Sequence, residues 1–223
     1  MKFIPILFST PMVQAIDADR KTQTRRTKGF EKVNENPDNW IYDGFVMNLD
    51  YKGPMSQAII EWFVIFKNTI TEEKINVKCP YSEDSDVLWV RESFYELTFE
   101  ILKGKYYYKA LVTDGWNLKY KPSIYMPKQA CRLFLLIKDI RVERLKDISE
   151  SDAIAEGIHA VDKKGGFILY ENYRKNYRPS ILRDPNKSFF SLWESINGKE
   201  SLELNPWVWV IEFEKIEKPE NFL

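Results

Sequence analysis

The chain has 223 residues, enough to bury a core in one domain and few for several. Its make-up, 44% hydrophobic and 30% charged, is that of a folded globular chain and excludes a disordered or collagen-like one. Lys+Arg and Asp+Glu balance at 33 each, which argues against a general coater of DNA; charge is segregated, however, with residues 20–28 purely basic and residues 147–156 purely acidic.

Phe3–Phe8 is an apolar run that reads as a buried strand. It is too short for a membrane span or the apolar part of a signal peptide, and no small-residue cleavage site follows it. A cytoplasmic protein without a membrane partner is therefore expected. Thr10 as N-cap and Pro11 at the first helical position open a short helix through Met12, Ala15 and Ile16, ending near Asp19. Residues 21–26 follow as a strand or extended loop. Residues 28–56 are rich in Asn, Asp, Gly and Pro and predict an elaborated loop or inserted hairpin. In the apolar stretch Ala58–Phe66 a strand is preferred over a helix. Val87–Phe94 and Lys105–Val112 read as strands, with a turn at Asp114-Gly115. Arg132–Leu145 reads as one long strand, and the charges at Lys138-Asp139 mark a bulge or bend in it.

Ser149 caps a short helix, with Asp152 reaching back, and Gly157 closes it. Residues 160–187 are irregular and basic and read as a second insertion. Phe189–Ile196 has helical spacing and stops at Asn197-Gly198. Trp207–Glu214 alternates and is the clearest strand. Strands dispersed among helices without regular βαβ alternation predict an α+β fold. The expected form is a single domain around a small, mostly antiparallel, closed or half-closed barrel, with insertions at about 28–80 and 160–187.

Three segments carry chemistry. Arg20–Arg26 is either a charged strand guarding a sheet edge or an oxyanion site, in which Arg25 and Arg26 supply forked donors and the threonines supply hydroxyls. In a regular strand Lys21 and Thr24 face opposite sides, so they meet only if the chain bends between them. Glu156 lies in the last turn of the Ser149 helix, at the negative end of its dipole. That position disfavours the charged carboxylate and suits a general base; the plain alternative is a solvated residue on a capped helix. In Val87–Phe94, Trp89 and Arg91 share one face, and Val90 and Glu92 the other. The segment is either a strand with an ion-paired face or a stacking and phosphate-binding wall. Trp207 and Trp209 share a face and read as packing residues. Cys79 and Cys131 lack metal spacing and His159 is the single histidine, so no metal and no cofactor are expected.

The segments KTQTRR, LWVRE, DAIAEGI and NPWVWVIEF, in this order, resemble ASCH-domain proteins of the bacteriophage and prophage group. These are small PUA-like β-barrels. The resemblance covers the core of the chain and leaves residues 28–80 and 160–187 as elaborations. One departure is Ser85-Asp86 before the strand at Val87, where many relatives have Gly-Asp. Similar bacterial proteins include an amidohydrolase that deacetylates N4-acetylcytidine with a lysine, a threonine three residues later and a helical glutamate. Lys21, Thr24 and Glu156 match those positions. The family is also proposed to bind RNA.

The resemblance thus implies a bacterial host cytoplasm and a basic pocket for RNA or a modified nucleoside or nucleotide. Arg25, Arg26, Trp89, Arg91 and Glu92 are the candidate ligand-binding residues. The alternative is an amidohydrolase in which Thr24 attacks, Lys21 takes or steers its proton and Glu156 serves the leaving amine or water. A phage structural or assembly protein is the third reading. Oligomeric state is left open.

Overall fold

Trp207–Ile216 (β13) lies in the middle of the fold because its first half, WVWVI, is apolar on both sides. The computed structural model describes residues 1–50, 59–81, 86–97, 104–112, 118–164, 167–174 and 178–222. There β13 runs antiparallel to Phe134–Arg144 (β9) on one side and to Gln23–Arg26 (β2) on the other. β9 also pairs antiparallel with Val87–Arg91 (β6), and β6 pairs parallel with Phe3–Leu7 (β1). The order is β1-β6-β9-β13-β2. Opposite β9, Glu212 faces Asp139 but Phe213 faces Ile137, so Lys138 is left over. This is a bulge at the charge break read from the sequence.

The sheet is open: β1 and β2 are its edges, and no ladder among the described residues joins them. The Arg26 guanidinium links the two edges by donating from Nη2 to the Leu7 carbonyl at 3.0 Å. Lys105–Val112, expected as a strand, contributes nothing to this sheet. Tyr106–Tyr108 (β8) pairs instead with Phe94–Glu96 (β7) as a separate ribbon, and Lys109–Leu111 turns into a 3-10 helix. The turn expected at Asp114-Gly115, Ser85, and parts of both insertions (51–56, 165–166 and 175–177) lie outside the described residues.

Both faces of the sheet are covered. On one, Trp209, Ile211 and Phe213 pack with Val13 and Ile16 of the helix Thr10–Asp17 (α1). On the other, Val208 and Val210 pack against Ala153 of Glu150–Ala155 (α2) and Phe189 and Trp193 of Pro185–Asn197 (α3). A further helix, Lys199–Leu204 (α4), was not predicted by the periodicity. Nor does Thr10 cap α1; Ser9 precedes it, without a side-chain bond. No helix among the described residues is long and apolar enough to cross a membrane.

Residues 28–56, expected as a loop or hairpin outside the core, supply Phe30, Val33 and Trp40 to it, and the strand expected at Ala58–Phe66 forms beside them. Trp40–Asp50 (β3), Ile59–Asn68 (β4) and Lys74–Lys78 (β5) form an antiparallel sheet laid over the first face. Phe30 stacks on Trp209 with centroids 4.7 Å apart, and Phe66 meets Trp207 edge-on at 4.9 Å. Phe30, Val33 and Phe66 are fully buried. The role of Phe30 and Val33 was hidden, because they lie in a loop and a 3-10 turn without periodicity; Phe66 belongs to the strand expected there. The second segment forms Ala160–Lys164 (β10), Phe167–Glu171 (β11) and Ile181–Leu182 (β12), and buries Tyr170 beside α3.

The cap at Ser149 is real: its hydroxyl accepts the Asp152 N–H at 3.1 Å. Ser149→Ala is expected to cost about 1 kcal/mol, read as a lowered urea midpoint with unchanged slope.

Candidate functional site

The site begins where α1 ends. Arg20 N and Lys21 N both donate to the Ala15 carbonyl, at 2.8 and 3.1 Å, which turns the chain sharply. Lys21 then forms an isolated antiparallel bridge with Glu156, and Thr22 N donates to Ala155 O at 2.9 Å. Pairing with β13 follows directly, with Phe213 N donating to Thr22 O at 2.9 Å and the ladder running from Gln23 to Arg26. Gly157 permits the close approach. Its φ is +85°, and a Cβ there would lie 2.8 Å from the Lys21 Cβ and 3.0 Å from the Ala15 Cβ.

Two cations hold the Glu156 carboxylate. Lys21 Nζ lies 2.6 Å from Oε2 and also donates to the Glu156 carbonyl at 2.8 Å; Arg25 Nη1 lies 3.1 Å from Oε1. All three side chains are buried. Glu156 therefore points inward, not to solvent. Burial lowers the Lys21 pKa, and the adjacent Glu156 only partly offsets it. A lysine so placed gives up its proton more readily than one in water.

Arg25, expected to contact a ligand, is committed to the protein. Its guanidinium also binds Glu143 at 2.6 Å, Gln23 Oε1 at 2.8 Å and Asp152 at 3.4 Å. Gln23 Nε2 bridges Asp152 and Glu212, both at 3.1 Å, and Arg141 binds Asp152 at 2.9 Å. Burial opposes ionisation of Asp152, yet Gln23, Arg141 and Arg25 together hold it below the usual carboxylate range.

Thr24, Arg25, Arg26 and Glu156 line one cleft of about 100 Å³, walled by Met12 of α1 and by Phe189, Leu192, Trp193 and Ile196 of α3. The Thr24 hydroxyl is buried, with no hydrogen-bond partner among the described residues. Such an orphan is costly and uncommon in a folded protein. Arg26 lies over the Phe8 ring at 5.0 Å and donates to Leu7 O and Arg25 O; among the described residues it has no carboxylate partner. Lys21 does not line the cleft; it stands behind Glu156.

Trp89, Arg91 and Glu92 lie elsewhere and do not form a ligand wall here. Trp89 is buried against Phe222, with ring centroids 6.0 Å apart, in a third apolar cluster. Arg91 lies over Trp89 at 5.5 Å and donates to the Ile124 carbonyl. Glu92 is buried and paired with Arg132 at 2.8 Å, and Arg132 also binds Asp17 at 2.8 Å. Burial raises the Glu92 pKa, with Arg132 opposing. The strand expected over Val87–Phe94 ends at Arg91, so Glu92 lies beyond it, and Trp89, Arg91 and Glu92 each meet groups of the protein.

Sequence reasoning missed Gln23, Glu143 and Arg141 as neighbours of Arg25, and missed the α3 wall. The helical spacing of Phe189 and Trp193 was visible, but not what that face would cover. Among the described residues no group of three or more His, Cys, Asp or Glu side chains is arranged to hold a metal ion. Comparison with protein-family models, curated proteins and solved structures gave no significant match to this chain.

Proposed function

We propose that the cleft beside β2 binds a nucleoside or nucleotide, free or within RNA, as the resemblance to phage-type ASCH proteins implies. On this reading the five-stranded sheet, with Arg26 bridging its edges, is a PUA-like barrel left partly open. The observation that carries the reading is the Thr24 hydroxyl, buried and without a partner among the described residues, on a residue that lines one cavity with Glu156 and Arg26. A ligand that hydrogen-bonds Thr24 removes the cost of the orphan, Arg26 offers charge to a phosphate, and Phe189 and Trp193 supply apolar wall for a base.

A second reading, amidohydrolysis, draws support from the Lys21–Glu156 contact at 2.6 Å, because Glu156 lines the same cleft as Thr24. Thr24 Oγ1 would attack an amide carbonyl. Its proton would pass to the Lys21–Glu156 pair and from there to the leaving amine, and water would release the acyl group. Lys21 does not hydrogen-bond Thr24, so this reading requires the substrate to draw the two together.

Calorimetric titration with cytidine, N4-acetylcytidine and a short RNA, with chromatography for deacetylation, tests both readings. Thr24→Ala should weaken binding, and should abolish any turnover. Arg26→Ala should reduce the salt dependence of RNA binding by about one unit of slope. Arg25→Ala should instead lower stability, because its partners are protein carboxylates. Wild-type protein that binds none of these probes sinks the proposal; binding without turnover removes only the second reading.

A further inference from the structure

β3 is an edge strand of the β3-β4-β5 sheet, and no strand among the described residues pairs with its outer side. Asn68 N donates to Glu73 O and Cys79 N to Trp62 O, both at 2.8 Å, so Asn68 and Trp62 turn their backbones toward β5. Alternation along β4 does the same for Phe66 and Val64. Across the ladder, Phe66, Val64 and Trp62 oppose Tyr42, Phe45 and Met47. Those three residues therefore turn their N–H and C=O groups away from β4, onto the free edge. Asp43 and Gly44 together oppose Ile65, and this bulge bounds the regular stretch that begins at Phe45.

Exposed edges are normally guarded by proline or charge. β1 carries Pro5 at its centre, and β5 carries Lys74 and Lys78, both largely exposed. From Gly44 to Leu49, β3 has neither proline nor charge. Its side chains are apolar and open on both faces. Phe45 (62% exposed) and Met47 (51%) lie on the face of Trp62 and Val64, and Val46 is exposed on the other face, opposite Phe63. Such a strand has the character of an interior one. With Ile41 and Tyr42, β3 presents on the order of 500 Å² of apolar side chain per copy. Two copies together reach roughly 1,000 Å², where specific interfaces begin.

We propose that β3 is a self-association edge. Two copies of the chain pair their β3 strands antiparallel about a two-fold axis at Val46, and two three-stranded sheets become one continuous sheet. A second copy fits because an antiparallel strand edge is complementary to itself. The outward backbone groups set the register. Phe45 pairs with Met47 of the second copy, and Met47 with the second copy's Phe45, which uses the free N–H and C=O groups of both. It also sets a thioether against a phenyl ring on one face. Val46 meets its own counterpart on the other face, in a pair without mutual hydrogen bonds, with Cα atoms about 4.5 Å apart. Asp43 falls opposite Leu49, so the two copies' Asp43 residues do not face each other, and Lys74 holds each carboxylate at 2.6 Å. This inference is independent of the ligand proposed for the cleft at Thr24.

Sedimentation equilibrium of the full chain should show a monomer–dimer equilibrium in the micromolar range. Val46→Lys sets two ammonium groups against each other on the axis, and Val46→Glu two carboxylates. Each should weaken the dimer at least about tenfold. An equimolar mixture of the two variants should dimerise again, because only a contact across the two-fold turns repulsion into attraction. Their urea midpoints should match that of wild type, since Val46 is already exposed. Val46→Cys should form a disulfide-linked dimer on mild oxidation, and wild type, with Cys79 and Cys131, should not. A monomer up to millimolar concentration overturns the proposal. So does a dimer indifferent to Val46→Lys, or a mixture that stays monomeric. If the charged variants fail to fold, the cross-link decides, and its absence overturns the proposal.

Discussion

Glu156→Ala is expected to lower the unfolding free energy by about 3–5 kcal/mol. The substitution strands Lys21, whose side chain is 1% exposed, without the carboxylate that stands 2.6 Å from its ammonium. It also removes one partner of the buried Arg25, although Glu143 and Asp152 remain to that residue. A control separates the pair from the packing. Lys21→Met combined with Glu156→Leu removes both charges and should recover most of the loss, since an apolar pair of similar volume often equals a buried ion pair.

The pH dependence has a definite sign. Lys21 has a pKa lowered by burial from 10.5 in the folded state, so between the folded value and 10.5 the unfolded chain binds more protons. The Lys21 contribution to stability therefore rises with pH across that window, and the cost of charging a buried lysine is fully present below it; Cys79 and Cys131, whose thiols burial pushes up to about 12 and about 11, contribute in the opposite direction above pH 9. In Glu156→Ala the offsetting carboxylate is gone, and the Lys21 window extends to lower pH. In Lys21→Met that contribution vanishes, and the difference from wild type isolates it. Urea unfolding of the variants over a pH series measures this. A loss under about 1 kcal/mol for Glu156→Ala, with no widening of the window, would show that the pair does not hold the site together.

Gly157→Ala should cost roughly 3 kcal/mol. Two penalties combine: a side chain at φ +85°, and a Cβ placed 2.8 Å from the Lys21 Cβ. Neither contact is with the far end of a flexible side chain, so backbone must move. The movement would separate the bridge between Lys21 and Glu156 and widen the cleft beside Thr24. Binding at the cleft should thus fall along with the denaturation midpoint, whereas Ser149→Ala, at the other end of α2, lowers stability alone. Wild-type stability in Gly157→Ala would show that the segment can yield without strain.

Several features were legible along the chain because they depend on near neighbours. The Ser149 cap, the stop at Gly157, the long strand in β13 and the bulge at Lys138 each follow from residue types a few positions apart. Of Lys21, Thr24 and Glu156, singled out by local motif, Lys21 pairs with Glu156, and Thr24 lines a cleft with Glu156 but not with Lys21. What a motif cannot state is the partner. Arg25 and Arg26 are adjacent and chemically alike, yet Arg25 is spent on Glu143, Asp152 and Glu156 while Arg26 lacks a carboxylate among the described residues. Trp89 and Arg91 had the right alternation for a binding wall, and Phe222 from the far end of the chain closes it. Phe30, in a stretch without periodicity, became core by stacking on Trp209. The division has one physical cause. Backbone preference and capping act over a turn or a pleat, so residue order determines them. Burial, ion pairing and an orphaned hydroxyl depend on which strands become neighbours and in what register, and only the assembled sheet decides that.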